Sequence, residues 1–240
     1  MKPILITGGA RRLGAAMART LRGAGYDVII HAHRSADEAH ALAAEIGARV
    51  VLGDLADPAA PAQILAACGK LGGLINNASR FEYDTIRTLT AAELEAHYRP
   101  NVIAPVLLAQ GFAAQQPEEG VIINVLDQKL SNLNPDHFTY TLSKAALAAA
   151  SEMLAQALAP NIRVCAIAPG ITLPGARQSP ESFARAWAAN PLRRGATPED
   201  IAATALYILR TRSLTGVTIP VDGGEHLMYR ARDVAFLAPE

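Results

Sequence analysis

A chain of 240 residues is long for one hydrophobic core and short for two, so one large α/β domain is the expected count. Half of its residues are hydrophobic and 18% charged, with 22 Lys and Arg against 22 Asp and Glu, which excludes a disordered chain and leaves no basic bias for nucleic acid or an anionic membrane surface. The two cysteines, Cys68 and Cys165, have no His or Cys near them at metal-ligand spacing, so neither a disulfide framework nor a metal site is expected and a reducing, cytoplasmic setting fits.

Ile4 to Ile6 is too short for a signal-peptide core, and no segment approaches the roughly 18 apolar residues of a membrane span, so the chain reads as soluble. In chain order the pattern predicts a strand at 4–7, a helix at 13–22, a strand at 27–31, a helix at 36–46, a strand at 49–52 and a helix at 59–68. It continues with a strand at 74–76, a long helix at 91–114, a strand at 121–125, a helix at 138–158, a strand at 162–167, a helix at 198–209 and a strand at 217–221. The last helix opens with Thr197 as cap and Pro198 at its first position, and Ser35 stands where it would cap the helix at 36–46. Near-continuously apolar strands alternating with helices imply a single-domain Rossmann fold: a doubly wound, seven-stranded parallel sheet with helices on both faces. The stretch 171–197 breaks the rhythm with Pro174, Gly175, Pro180, Pro191 and Gly195 around a short helical segment at 180–189 holding the sole tryptophan, Trp187. Beyond a strand's carboxyl end, it is expected to act as a substrate lid.

TGGARRLG at 7–14 follows the first strand and ends where a helix opens, placing small residues where backbone N–H groups and a helix N-terminus can approach a pyrophosphate. The second strand ends in HAHRS, His31 to Ser35, with no acidic residue to hold a ribose 2′-hydroxyl. Arg34 and Ser35 instead suit a 2′-phosphate, so NADP(H) is the expected cofactor. Asp54 and Leu55 after the third strand, and Asn77, Ala78 and Ser79 after the fourth, fall on the same carboxyl edge. Tyr140 and Lys144, four apart in a helix, share one face, and a nearby ammonium is expected to lower the phenol's pKa so that it can carry a proton. Asp127 lies two residues beyond the fifth strand, and Asn101 lies in the long preceding helix.

TGGARRLG, NNAS at 76–79, Asn101, the Tyr140/Lys144 pair and APG at 168–170, in that order, resemble the short-chain dehydrogenase/reductase family over essentially the whole chain. Two departures are informative. Arg12 stands where most of the family has a third glycine, and Asp127 where most has a serine; an ionised carboxylate cannot donate to a ketone oxygen, which points to a nitrogen-rich substrate. Both departures, with HxHRS, the aromatic Phe81 after NNAS and DGGxHL near the C-terminus, are similar to pteridine reductases and the related dihydromonapterin reductases.

That resemblance implies NADPH contacts at Gly8, Arg11, Arg12, Leu13, Gly14, His33, Arg34, Ser35, Asp54, Leu55, Asn77, Ala78, Ser79 and Val125. Further contacts are implied at Tyr140, Lys144, Pro169, Gly170 and Ile171, with Thr172 one place beyond the family's usual carboxamide-contacting threonine. It implies a pterin stacked on Phe81 and gripped by Arg12, Ser79, Asp127 and Tyr140, reduced to its tetrahydro form with Tyr140 supplying a proton at N5, and Asp127, Tyr140, Lys144 and Asn101 as the catalytic set. Dihydrofolate shares the ring and is a second expected substrate. It also implies a homotetramer, with the helices at 91–114 and 138–158 forming one contact and the apolar tail at 234–237 serving another. Two alternatives stay open: a family reductase of another carbonyl or imine compound, and a non-catalytic NADP(H) sensor.

Overall fold

The computed structural model describes residues 2–175 and 178–236, so positions 176 and 177 of the predicted lid and Leu237 of the tail lie outside the described residues. β1 (Ile4–Ile6), β2 (Val28–Ala32), β3 (Arg49–Leu52), β4 (Gly73–Asn76), β5 (Gly120–Val125), β6 (Ile162–Pro169) and β7 (Thr218–Val221) form one sheet in the order β3-β2-β1-β4-β5-β6-β7, with every pairing parallel. The chain starts in mid-sheet, winds outward through β2 and β3, then crosses back to β4. The switch between β1 and β4 opens a crevice at the carboxyl edge, where ligands bind in folds of this kind.

Side-chain alternation divides the core. Ile4 and Ile6 face one layer, with Val28, Ile30, Ile75 and Ile123. Leu5 faces the other, with Ile29, Leu74 and Ile122. The first layer is closed by α1 (Arg12–Gly23), α2 (Ala36–Ile46) and α8 (Pro198–Arg210); the second by α3 (Ala60–Cys68), α5 (Ala104–Ala114) and α6 (Phe138–Ala157). Every residue of β1, β2, β4 and β5 is buried, as apolar runs covered on both faces require, whereas the edge strand β7 alternates between exposed and half-buried.

Three local features differ from expectation or complete it. The long helix at 91–114 is α4 (Ala91–Tyr98), a wide π-helical turn at Arg99–Ile103, and α5; Pro100 has no N–H and its ring obstructs a regular turn, and the widened backbone carries Asn101 into the interior. Ser35 occupies the N-cap position of α2, but its side chain makes no capping bond. Thr197 does cap α8, in a reciprocal box with Asp200.

The segment after β6 carries α7 (Pro180–Ala188) and is stitched down by Trp187, whose indole N–H donates to the Ala196 carbonyl at 3.1 Å. No helix of the described residues is long and apolar enough to cross a membrane.

Candidate active site

The loops after β1, β2, β3 and β4 meet at the crevice and are held by hydrogen bonds that leave little freedom. Thr7 Oγ1 accepts from the backbone N–H groups of Asn77 and Ala78 at 3.0 and 3.1 Å, while the Asn77 amide donates to the carbonyls of Thr7 and Gly8 at 3.0 and 3.1 Å. Gly8 has φ +60° and lies so close to Ala78 that an added Cβ would sit 3.0 Å from its Cα; a Cβ on Gly14 would collide with the Gly8 carbonyl. His31, buried at the end of β2, accepts from the Gly8 N–H through Nδ1 at 3.3 Å and meets the Gly53 carbonyl through Nε2 at 3.1 Å. That carbonyl only accepts, so Nε2 carries the proton, and burial lowers the imidazole's pKa and keeps it neutral. His31 stood unassigned within HAHRS; its signal is a histidine inside an apolar strand.

Around this frame the expected cofactor residues line the carboxyl edge. Arg34 is exposed and, among the described residues, its guanidinium has no hydrogen-bond or ion-pair partner. His33 lies 3.5 Å from Asp54, and Arg11 lies 3.4 Å from Glu38, both exposed pairs. Leu13 is half-buried, and Leu55 and Val125 are buried. Arg12 keeps the glycine-like backbone of the position it fills, with φ +52°, and both its terminal nitrogens donate to the Pro174 carbonyl at 3.2 Å. The arginine thus ties the glycine loop to the segment after β6. Pro169 ends β6; Gly170 N–H donates to Val221, and Thr172 returns its hydroxyl to the Gly170 carbonyl at 2.8 Å.

The polar corner lies beyond β5. Asp127 opens a 3-10 turn (Gln128–Ser131), its Oδ1 accepting from the Lys129 N–H at 2.9 Å and its Oδ2 from the Tyr140 hydroxyl at 2.7 Å. Lys144, one turn further along α6, donates to the Val125 carbonyl at 2.7 Å and holds its ammonium 5.7 Å from the Tyr140 ring. The start of α6 is fixed from afar: Asp84 accepts from the Thr139 N–H at 3.0 Å and from the Thr139 hydroxyl, supplying the cap that His137 does not.

Asn101 reaches this corner indirectly. It accepts from the Arg80 N–H at 2.8 Å and from Ser79, and donates to Arg80 and to Ser143, so it pins the 79–81 turn onto α6 without touching Tyr140 or Lys144. Phe81 is 55% exposed, with its ring stacked on His137 at 4.3 Å and edge-on to Tyr140 at 4.6 Å. His137 adopts φ +50°, and no sequence signal marked it.

None of the described protein groups around Tyr140 lowers its phenol. Burial pushes the phenol well above its usual value, and the Asp127 charge, the bond to Asp127 and then the Asp233 charge push the same way. Burial also raises the Asp127 carboxyl, against the Lys129 amide, the tyrosine and both lysines, and pulls the Lys144 ammonium down to about 8. The corner is therefore a phenol held in its neutral form and donating to the Asp127 carboxyl, beside an ammonium that loses its charge as pH rises through about 8.

A family model described as enoyl-(acyl carrier protein) reductase matches residues 8–226. The fold resembles the crystal structure of the FolM alternative dihydrofolate reductase 1 from Brucella canis complexed with NADP, at a TM-score of 0.89 and 41% identity, covering 98% of each chain. An uncharacterized oxidoreductase of Mycobacterium tuberculosis is 36% identical over 93% of this chain and 91% of its own. Pteridine reductase 1 of Leishmania tarentolae is 29% identical over 93% and 96%.

Proposed function

The chain belongs to the short-chain dehydrogenase/reductase family, and on that premise we propose that it reduces a dihydropterin, dihydrofolate included, with NADPH, Tyr140 delivering the proton. The observation that carries the reading is the 2.7 Å bond from Tyr140 to Asp127 beside the exposed ring of Phe81. A carboxylate at this place repels a developing alkoxide but tolerates a ring nitrogen that takes up a proton, and Phe81 offers a stacking surface for a flat heterocycle. The FolM and pteridine reductase relatives support the same substrate class.

The residues present fit a dinucleotide. Gly8 and Gly14 let the loop after β1 pack closely on Ala78 and on itself, so that its backbone stands at the start of α1, and Arg34 has free donors for a 2′-phosphate at a strand end with no competing acid. When bound, NADPH supplies the hydride. Tyr140 holds its proton firmly against Asp127, and its O–H turns from that carboxyl to a more basic ring nitrogen when one stands beside it. Lys144 offsets the phenolate left behind, and Asn101, a positioning residue, holds the Ser79 to Phe81 turn on which substrate rests. Arg12 latches the segment at 171–197 through Pro174, which supports its role as a lid. We place the protein in the cytoplasm as a homotetramer. The exposed Ile103, Leu142 and Met153 on the π-turn and α6 support one contact, and a monomer by sedimentation at micromolar concentration overturns it.

The test follows reduced-nicotinamide absorbance with NADPH or NADH and a 7,8-dihydropterin, in wild type, Asp127→Ser and Tyr140→Phe. The reading stands if NADPH is consumed, NADH is poor and both variants fail. It falls if a simple ketone is the better substrate and Asp127→Ser speeds its reduction.

A further inference from the structure

The chain past β7 doubles back under the turn that follows β6. Asp222 accepts from the N–H groups of Gly224 and His226 at 2.9 and 2.8 Å, and two successive left-handed glycines, Gly223 and Gly224, turn the Glu225 side chain inward. Glu225 is 4% exposed. Its Oε1 lies 4.0 Å from Nε of Arg230, too long for a hydrogen bond, and Arg230 is itself held by the Ala189 carbonyl. Glu225 Oε2 and Arg230 Nε are both buried without a hydrogen-bond partner, an unusual state for charged groups. Gly170 packs against Asp222 and Glu225: a Cβ there would fall 2.6 and 2.7 Å from Asp222 and 3.2 Å from Glu225 Oε2.

Resting on the NADPH reading above, the geometry points to Glu225 as a further positioning residue of the same site. Its carboxyl group, set against Gly170 and Arg230, holds in place the backbone at 169–171, where the resemblance puts cofactor contacts. The groups facing Glu225 are the Arg230 guanidinium and the Ile171 amide, which favour its ionised form, and Asp127 and Asp222, which oppose it; Asp222 also binds the His226 ring. Burial dominates and carries the Glu225 carboxyl up to about 7. The Asp127 charge opposes ionisation of Glu225, which couples the two carboxyls.

Carbon-13 NMR of glutamate side-chain carboxyls in the ligand-free full chain tests this, with the Glu225 signal identified by its loss in Glu225→Gln. The expected result is a signal titrating near neutrality, apart from the other glutamates. Its midpoint moves to lower pH in Asp127→Asn, which removes a repelling charge, and to higher pH in Arg230→Gln, which removes an attracting one. Should Glu225→Gln not fold, those two variants still decide the coupling. A signal that titrates with the ordinary glutamates, or one unmoved by Asp127→Asn, overturns it. Nicotinamide fluorescence supplies the second readout: Glu225→Gln leaves NADPH binding nearly unchanged at pH 6, where wild-type Glu225 is itself neutral, and weakens it severalfold at pH 8. Unchanged binding at pH 8 removes the positioning role. Wild-type protein that binds no NADPH brings down the cofactor reading and that role together, while the titration still decides the coupling.

Discussion

The two sides of the crevice are built on opposite electrostatic terms. On the side of β1 to β4, the loop groups of Thr7, Gly8, His31, Gly53 and Asn77 are paired with one another, and the buried His31 imidazole is neutral. On the side of β5 to β7, Asp127, Tyr140, Lys144 and Glu225 all depart from their ordinary pKa values, with burial the largest cause each time. Paired polar groups give a rigid frame that fits a ligand without rearrangement, whereas buried titratable groups raise the free energy of the fold and leave protons poised to move. Under the proposed function the first side holds most of the dinucleotide and the second moves the proton, with Glu225 and the 169–171 backbone steadying the nicotinamide end.

If that division holds, Tyr140→Phe lowers kcat by about 10² to 10⁴-fold while NADPH binding changes little, as stopped-flow and fluorescence titration would show. A comparable loss of binding would mean that the proton-handling side also anchors the cofactor. Gly14→Ala has the converse signature. The methyl group collides with the Gly8 carbonyl, costing about 1–3 kcal/mol of stability and weakening NADPH binding on the order of tenfold or more, which calorimetry and fluorescence would resolve.

Lys144 sharpens the contrast through pH. Its folded pKa is depressed to about 8 from 10.5, so the charge is present below about 8 and is lost as pH rises through that value. The expected kcat/KM, which reports the free protein, falls on the alkaline side of about 8, and Lys144→Arg carries that limb beyond the accessible range. The sign for stability is the reverse. The cost of the buried ammonium is full below about 8 and gone above 10.5, so Lys144→Met melts higher than wild type at pH 7 while losing activity. The smallest effect belongs to His31→Leu, which strands the Gly8 N–H and the Gly53 carbonyl; chemical denaturation should record a loss of about 1–3 kcal/mol with kcat barely changed.

Much of this architecture was legible in the chain. Apolar runs such as ILI at 4–6 and GVIINV at 120–125 are what a sheet covered on both faces requires, and the alternation with helices left few topologies to consider. Tyr140 and Lys144 share a face because helical periodicity puts them there, and the Asp127–Tyr140 bond joins two residues that the resemblance placed in one set. The break at Pro100 was less legible, because a proline in a helical pattern does not say whether the helix ends, kinks or widens. His137 and Asp84 gave no signal, being single residues in loops whose partners lie 55 or more positions away.

The sequence by itself therefore determined the layers, the strand count, the glycine turn after β1 and the shared face of Tyr140 and Lys144, since each depends on local conformation or on a short repeat of side-chain direction. Only the tertiary structure decided the direction of the Tyr140 shift, the latch from Arg12 to Pro174 and the burial of Glu225 beside Gly170. A pKa and an orphaned oxygen are set by the surrounding dielectric and by distances of a few ångströms between groups far apart in the chain, and those exist only once the sheet has closed.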